Sequence, residues 1–418
     1  MAWDKDENVN KVVLENVPGN SQMTCAEIQH DLIHACAKET TKLILEDIGD
    51  DYFGILADES SDVSYKEQLA ICLRYVDKKW RIRESFLGVV KVDDTCSMSL
   101  KIAIKKMVED NKLSMSRVRG QGYDGASKMR GEINGLKTLI MNDTPSAYYI
   151  HCFAHQLQLT LIAVAKDNYD CKWFFEQVGY LLNLMGVSCK RKEMFRVVQA
   201  KKIVNGLELG EIKSGKKIRD EGWEEFFSNV STFCFKHDIE VPNMDDNYVP
   251  PGKSRRYFEK VKNLHRFRVD MFISIIDLQL YELNNRFDEV NMELLICMSC
   301  FSLINSFAAF DKLKLRRLAE FYPVDFSSTD LRRLEFQLDH FIDDMRKDVR
   351  FEAVQDLGQL STMLVSTNKH SSYQLVYLLL RLVLILPVTT ASVERVFSSM
   401  TYVKNKLRNI ICDELLKG

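Results

Sequence analysis

The chain has 418 residues, 46% of them hydrophobic and 28% charged, with a formal net charge of −2. That length accommodates two or more cores, and near-neutrality excludes a general attraction to polyanions or to acidic membranes. Charge is nevertheless uneven: residues 1–60 carry a net −9 and residues 171–220 a net +6, so a polyanion would meet the middle of the chain. Eleven cysteines without regular spacing indicate reduced thiols rather than a disulfide scaffold. The acidic start, Met1 to Glu7, has no apolar core and reads as no secretory signal. The most apolar run, Leu375 to Val388, is interrupted by Arg381 and reads as a buried helix too short for a bilayer, so no membrane partner is expected.

In chain order, residues 26–48 space their apolar side chains as one or two amphipathic helices. Phe53 to Ala57 then forms a short run without polar alternation, as in a strand buried on both faces, and it delivers Asp58 at its tip. Glu59 to Asp62 reads as a turn. The next segment alternates, with Leu69, Ile71, Leu73 and Tyr75 on one face and Ala70, Cys72 and Arg74 on the other. After the polar Asp77-Lys78-Lys79, Trp80 to Val90 reads as a third strand.

Residues 99–111 switch to helical spacing through Leu100, Ile104, Met107 and Val108. Ser116 to Tyr123 predicts a fourth strand ending on a second carboxylate, Asp124. One helix through Met129, Ile133, Leu136 and Ile140 is expected next, then a fifth strand from Tyr148 and a helix from His155 to Ala165. Hairpins first and helical crossovers later define an α/β chain with a mixed five-stranded sheet, in the element order of ribonuclease H-like folds. In that topology the first and fourth strands are neighbours. Asp58 and Asp124 would then adjoin although 66 residues apart.

Strand signals stop after about residue 170. The expected organisation is a helical lead-in (1–50), a first part of the ribonuclease H-like core (51–170), a large all-helical insertion (171–370) and closing helices (371–418). Gly252-Lys253-Ser254 is no phosphate loop, since Asn247 stands where the leading glycine belongs and no buried strand precedes it. Cys297 and Cys300 form a lone pair on an apolar helix, so no zinc site is predicted.

Four stretches resemble the hAT transposases, within them the zinc-finger MYM-type protein 1-like group. They are Ala57-Asp58-Glu59-Ser60, Gly122 to Gly131, His151-Cys152-Phe153-Ala154-His155, and Leu386 to Ser398 in that family's C-terminal dimerisation segment. The resemblance implies Asp58, Asp124 and Glu394 as catalytic ligands for Mg²⁺ or Mn²⁺, hard cations that prefer oxygen donors. It also implies that Cys152 and His155, matching a Cys-x-x-His pair, position DNA beside the scissile bond.

Each residue also has a plainer reading. Asp58 can cap a turn, Asp124 a helix N-terminus, and Glu394 suits a first helical turn through the helix dipole. Cys152 and His155 can be core residues. Lys190, Arg191, Lys192, Lys216 and Lys217 are candidate nucleic-acid contacts or a solvated basic face. No Cys/His array precedes residue 50, the family's Asp-Thr-Arg-Trp stretch is absent, and the dimerisation segment stops at Gly418. The expectation is therefore a nuclear, transposase-derived homo-oligomer that associates with DNA. The alternatives are an active metal-dependent nuclease or strand transferase, and a protein-interaction module that never touches DNA.

Overall fold

The computed structural model describes residues 25–61, 67–186, 215–249, 261–286, 289–301, 307, 310–351, 354 and 356–403. The chain divides into two compact units, one built from residues 1–155 and 289–418, the other from Gln156–Asp288.

The first unit is built on a mixed five-stranded sheet of order β3-β2-β1-β4-β5. Its strands are β1 (Phe53–Ser61), β2 (Glu67–Val76), β3 (Ile82–Lys91), β4 (Val118–Tyr123) and β5 (Tyr148–His151). β1 pairs antiparallel with β2 and parallel with β4, as the ribonuclease H-like order requires. β1 does not stop at Asp58. After β4 ends, β1 keeps β2 as partner through Glu59↔Leu69, Ser60↔Gln68 and Ser61↔Glu67, so the expected turn at 59–61 is strand.

The two sheet faces carry different cores. On one, Phe53, Ile55, Ala57, Leu69, Ile71 and Leu73 meet Leu100, Ile104 and Val108 of α2 (Ser97–Asp110) and Leu136 and Ile140 of α4 (Leu136–Asp143). On the other, Leu56, Ala70, Cys72 and Val89 meet Val393. The alternation read for β2 is the alternation found. Residues 26–48 form one helix, α1 (Ala26–Ile48).

The one helix expected through Met129 and Ile140 is two, α3 (Ser127–Arg130) and α4, and Ile133 between them is 81% exposed. The break has a local cause. The Gly135 N–H bonds the Gly131 carbonyl at 3.0 Å, and the two backbones approach so closely that a Cβ on Gly135 would meet Gly131 N at 2.3 Å.

Helices α10 (Glu289–Ser299), α11 (Lys312–Glu320), α12 (Ser328–Lys347), α13 (Leu357–Ser366) and α14 (Gln374–Ile385) share one core around Leu315, Leu338, Phe341, Leu380 and Leu384. These helices thus belong to the sheet's unit, although the sequence reading grouped most of them with the insertion. A buried pair ties them to the sheet: Arg119 of β4 donates to both Asp325 oxygens, at 2.7 and 2.9 Å, with Tyr52 4.2 Å from the guanidinium.

The second unit holds α6 (Tyr169–Gly186), α7 (Gly215–Glu221), α8 (Trp223–Lys236), a π-helical stretch Arg266–Ile273 and α9 (Ser274–Arg286). Arg219 pairs with Asp277 inside this unit, and Arg266 donates to Asp170 at 2.6 Å. Among the described residues no helix is long and apolar enough to cross a membrane.

Candidate functional site

The site starts from strand register. Gly54 pairs with Gly120 and Leu56 with Gly122, where the β1–β4 pairing ends; Asp58 and Asp124 each lie two residues beyond it, near enough for the Asp124 charge to act on Asp58. Side chains alternate along a strand, so Gly54, Leu56 and Asp58 of β1 share one face, as do Gly120 and Gly122 of β4. Pro387 lies on that face. A Cβ on Gly120 would come within 2.7 Å of its Cδ, and one on Gly122 within 2.9 Å of its Cβ. The missing side chains let residues 386–390 cross the sheet and start α15 (Ala391–Val403), which brings Glu394 in its first turn.

Two contacts fix this crossing at β5. Phe153 N donates to the Val388 carbonyl at 3.2 Å, and Thr390 N donates to Cys152 Sγ at 3.4 Å. Cys152 is fully buried, and its sulfur accepts from Thr390 N. His155 is half-buried in the first turn of α5 (Phe153–Asp167), its ring centroid 5.6 Å from that of His151. The His151 ring in turn sits against Gly125, where a Cβ would meet Nε2 at 2.5 Å.

Each carboxylate uses one oxygen locally. Asp58 Oδ1 accepts from Glu59 N at 3.0 Å, Asp124 Oδ1 from Ala126 N at 3.1 Å, and Glu394 Oε1 from Thr390 Oγ1 at 3.1 Å. Asp124 therefore shapes the turn before α3, whose N-cap position is Ala126. Burial pushes the Asp58 carboxyl up to about 6; the Glu59 N–H opposes this, and the like charges of Asp124, Glu394 and Glu59 add to it. The three acids, drawn from separate segments, thus share one electrostatic neighbourhood. Their chemistry fits a hard divalent cation, with a second oxygen left on each. Among the described residues, however, no group of three or more His, Cys, Asp or Glu side chains is drawn together closely enough to hold an ion.

Neighbouring residues were not visible from the sequence. Glu59, on the opposite face from Asp58, forms an ion pair with Lys128 of α3 at 2.6 Å. Its carboxyl is raised by burial, against the pull of Lys128. Glu84 of β3 joins Arg74 to Ser392, a span of 308 residues for the second contact. The spacing of Asp58-Glu59 from Ser127-Lys128 gives no local clue, since only the pairing of β1 with β4 brings them together.

Of the basic candidates, Lys216 and Lys217 are exposed on α7 and belong to the second unit, not to the unit of the carboxylates. Lys190, Arg191 and Lys192 lie outside the described residues. Cys297 and Cys300 are buried, and burial pushes the Cys297 thiol up to about 11.

Comparison with known proteins agrees with this architecture. Residues 1–135 match the ZMYM1/FAM200 RNase-like domain, and residues 346–417 match the hAT family C-terminal dimerisation region. The two matches, in this order along one chain, make it similar to hAT transposase-derived proteins over those two stretches. It is similar to the 52 kDa repressor of the inhibitor of the protein kinase from Homo sapiens, at 24% identity over 169 residues, 38% of this chain and 22% of that protein. The Mus musculus protein of the same name is 25% identical over 171 residues, again 38% and 22%. The match therefore spans under a quarter of either relative's length.

Proposed function

We propose that the sheet's unit is a ribonuclease H-like core that binds a divalent cation and associates with DNA, in a nuclear protein that self-associates through its C-terminal region. The observation that supports this reading is that Asp124 and Glu394, from two other segments, both act electrostatically on Asp58. Asp58, Asp124 and Glu394 are the oxygen donors that Mg²⁺ or Mn²⁺ would use, and holding one ion would require their side chains to draw closer than they stand. A bound cation of this kind supplies charge neutralisation at a phosphodiester and acidifies an attacking water. Self-association is supported by the match of residues 346–417 to a dimerisation region.

Duplex binding measured across salt tests DNA association. Its affinity should fall linearly on a log–log plot, with a slope of about −0.9 per phosphate neutralised. No binding at low salt would leave the protein-interaction reading instead. Nicking of plasmid DNA in Mn²⁺ that disappears in both Asp58→Asn and Asp124→Asn would add nuclease activity. Nicking that survives both changes would remove these carboxylates from any reaction.

A further inference from the structure

We infer that the second unit carries a docking groove for a cationic amphipathic helix of another protein. The groove belongs to a different unit from the carboxylates and does not depend on them. It is a cavity of about 480 Å³ lined by apolar side chains. Trp223, Phe226, Phe227 and Val230 of α8 follow the spacing i, i+3, i+4 and i+7, so one face of that helix forms a wall. Met271 of the π-helical stretch and Ile275 of α9 line it as well, and Met244 joins them from the loop after α8.

The groove has a packed floor and an open side. Trp223 is buried, stacked on Phe227 with ring centroids 5.7 Å apart and edge-on to Phe272 at 5.6 Å. Phe226 and Val230 are 47% and 38% exposed, so the same wall faces water one turn away. An apolar concavity of this size left open and framed by polar residues is the form an interaction site takes.

Charge selects the occupant. Residues 220–246, which contain α8 and the loop after it, hold eight Asp/Glu against one Lys, a net −7. Glu224 on α8 is exposed, as are Glu240 and Asp245 on either side of the loop's lining residues. Nearby cations are engaged: Arg219 is held by Asp277 and Asp220, and Arg266 by Asp170 at 2.6 Å. Arg268 lines a different concavity, with Lys262 and His265. The frame is left acidic. It complements a helix with large apolar residues at i, i+3 or i+4 and i+7 on one side and Lys or Arg on the other. An anionic partner, nucleic acid included, would be repelled there.

The test mixes the full chain with a fluorescein-labelled helical peptide that carries Leu at i, i+3, i+4 and i+7 and Lys elsewhere, read by fluorescence anisotropy. One control peptide replaces Lys by Glu, and another keeps the composition but scatters the Leu residues. Saturable binding of the Lys peptide alone is expected, weakening as salt screens the frame. Val230→Arg, which puts a cation on the wall, should raise the Kd about tenfold or more, as loss of an interface anchor does. Glu224→Lys combined with Asp245→Lys should shift the preference to the Glu peptide. Should Val230→Arg fail to fold, this pair carries the test, since both positions are exposed. No binding by the full chain, equal binding of either control peptide, or a Lys-peptide affinity unchanged in both variants would overturn the inference. Binding that emerges only with Lys190→Glu, Arg191→Glu and Lys192→Glu would seat the chain's own basic stretch in the groove and overturn the external partner.

Discussion

Asp58 is held where its charge is costly. Its folded-state carboxyl titrates near 6, raised by burial and then by Asp124 and Glu394, against an ordinary aspartate value near 3.8. For an acid with a raised folded value, the folded state binds the proton more tightly than the unfolded chain. The stability from that proton is complete below the unfolded value and is lost as pH rises through about 6. Asp58→Asn removes the charge while keeping an oxygen for the Glu59 N–H. The variant should therefore be more stable than the parent at pH 7.5, by about 1–2 kcal/mol. The gain should shrink toward zero near pH 4. Urea denaturation at several pH values measures it, and an Asn variant no more stable than the parent at pH 7.5 would contradict the assignment.

Elements transmit this charged arrangement through close backbone contacts. Pro387 occupies the space that side chains at Gly120 and Gly122 would fill. Gly122→Ala must push the 386–390 crossing off the sheet and carry α15 with it; overpacking of this kind costs about 1–3 kcal/mol. The loss should appear in thermal unfolding and as faster exchange at α15. The buried Arg119–Asp325 pair behaves differently, because removing one partner strands a buried charge. Asp325→Asn should destabilise by about 3–5 kcal/mol, whereas an exposed pair such as Lys42–Glu39 should contribute under about 1 kcal/mol.

The elements also mark what could be read from residue order. The five strands, and Asp124 just past the end of β4, were legible because buried strands leave unbroken apolar runs and half-buried ones alternate. The break between α3 and α4 was not, because Met129, Ile133, Leu136 and Ile140 keep helical spacing across a turn set by two glycine backbones. The full length of β1 was hidden as well: Glu59, Ser60 and Ser61 are polar residues that read as a turn, and only pairing with β2 makes them strand. Glu84 had no signal. A glutamate on a strand at the sheet's edge looks solvent-facing until a helix from the far end of the chain covers it.

At the scale of the whole molecule, one sheet is assembled from the start of the chain and finished by its end. The C-terminal segment does two things there: it lays Glu394 beside the strand ends, and it carries the match to a dimerisation region. Sedimentation equilibrium should accordingly show a concentration-dependent dimer that deletion of residues 391–418 abolishes. A monomer at every concentration would remove self-association. The central claim is narrower, that three acids from distant segments serve a single ion. Isothermal titration of Mn²⁺ into the intact chain and into Asp58→Asn, Asp124→Asn and Glu394→Gln tests it directly. The account expects saturable binding that each of the three changes weakens at least tenfold, as loss of a direct ligand does. Equal affinity in any one of the three variants, or no saturable binding by the parent, would contradict it.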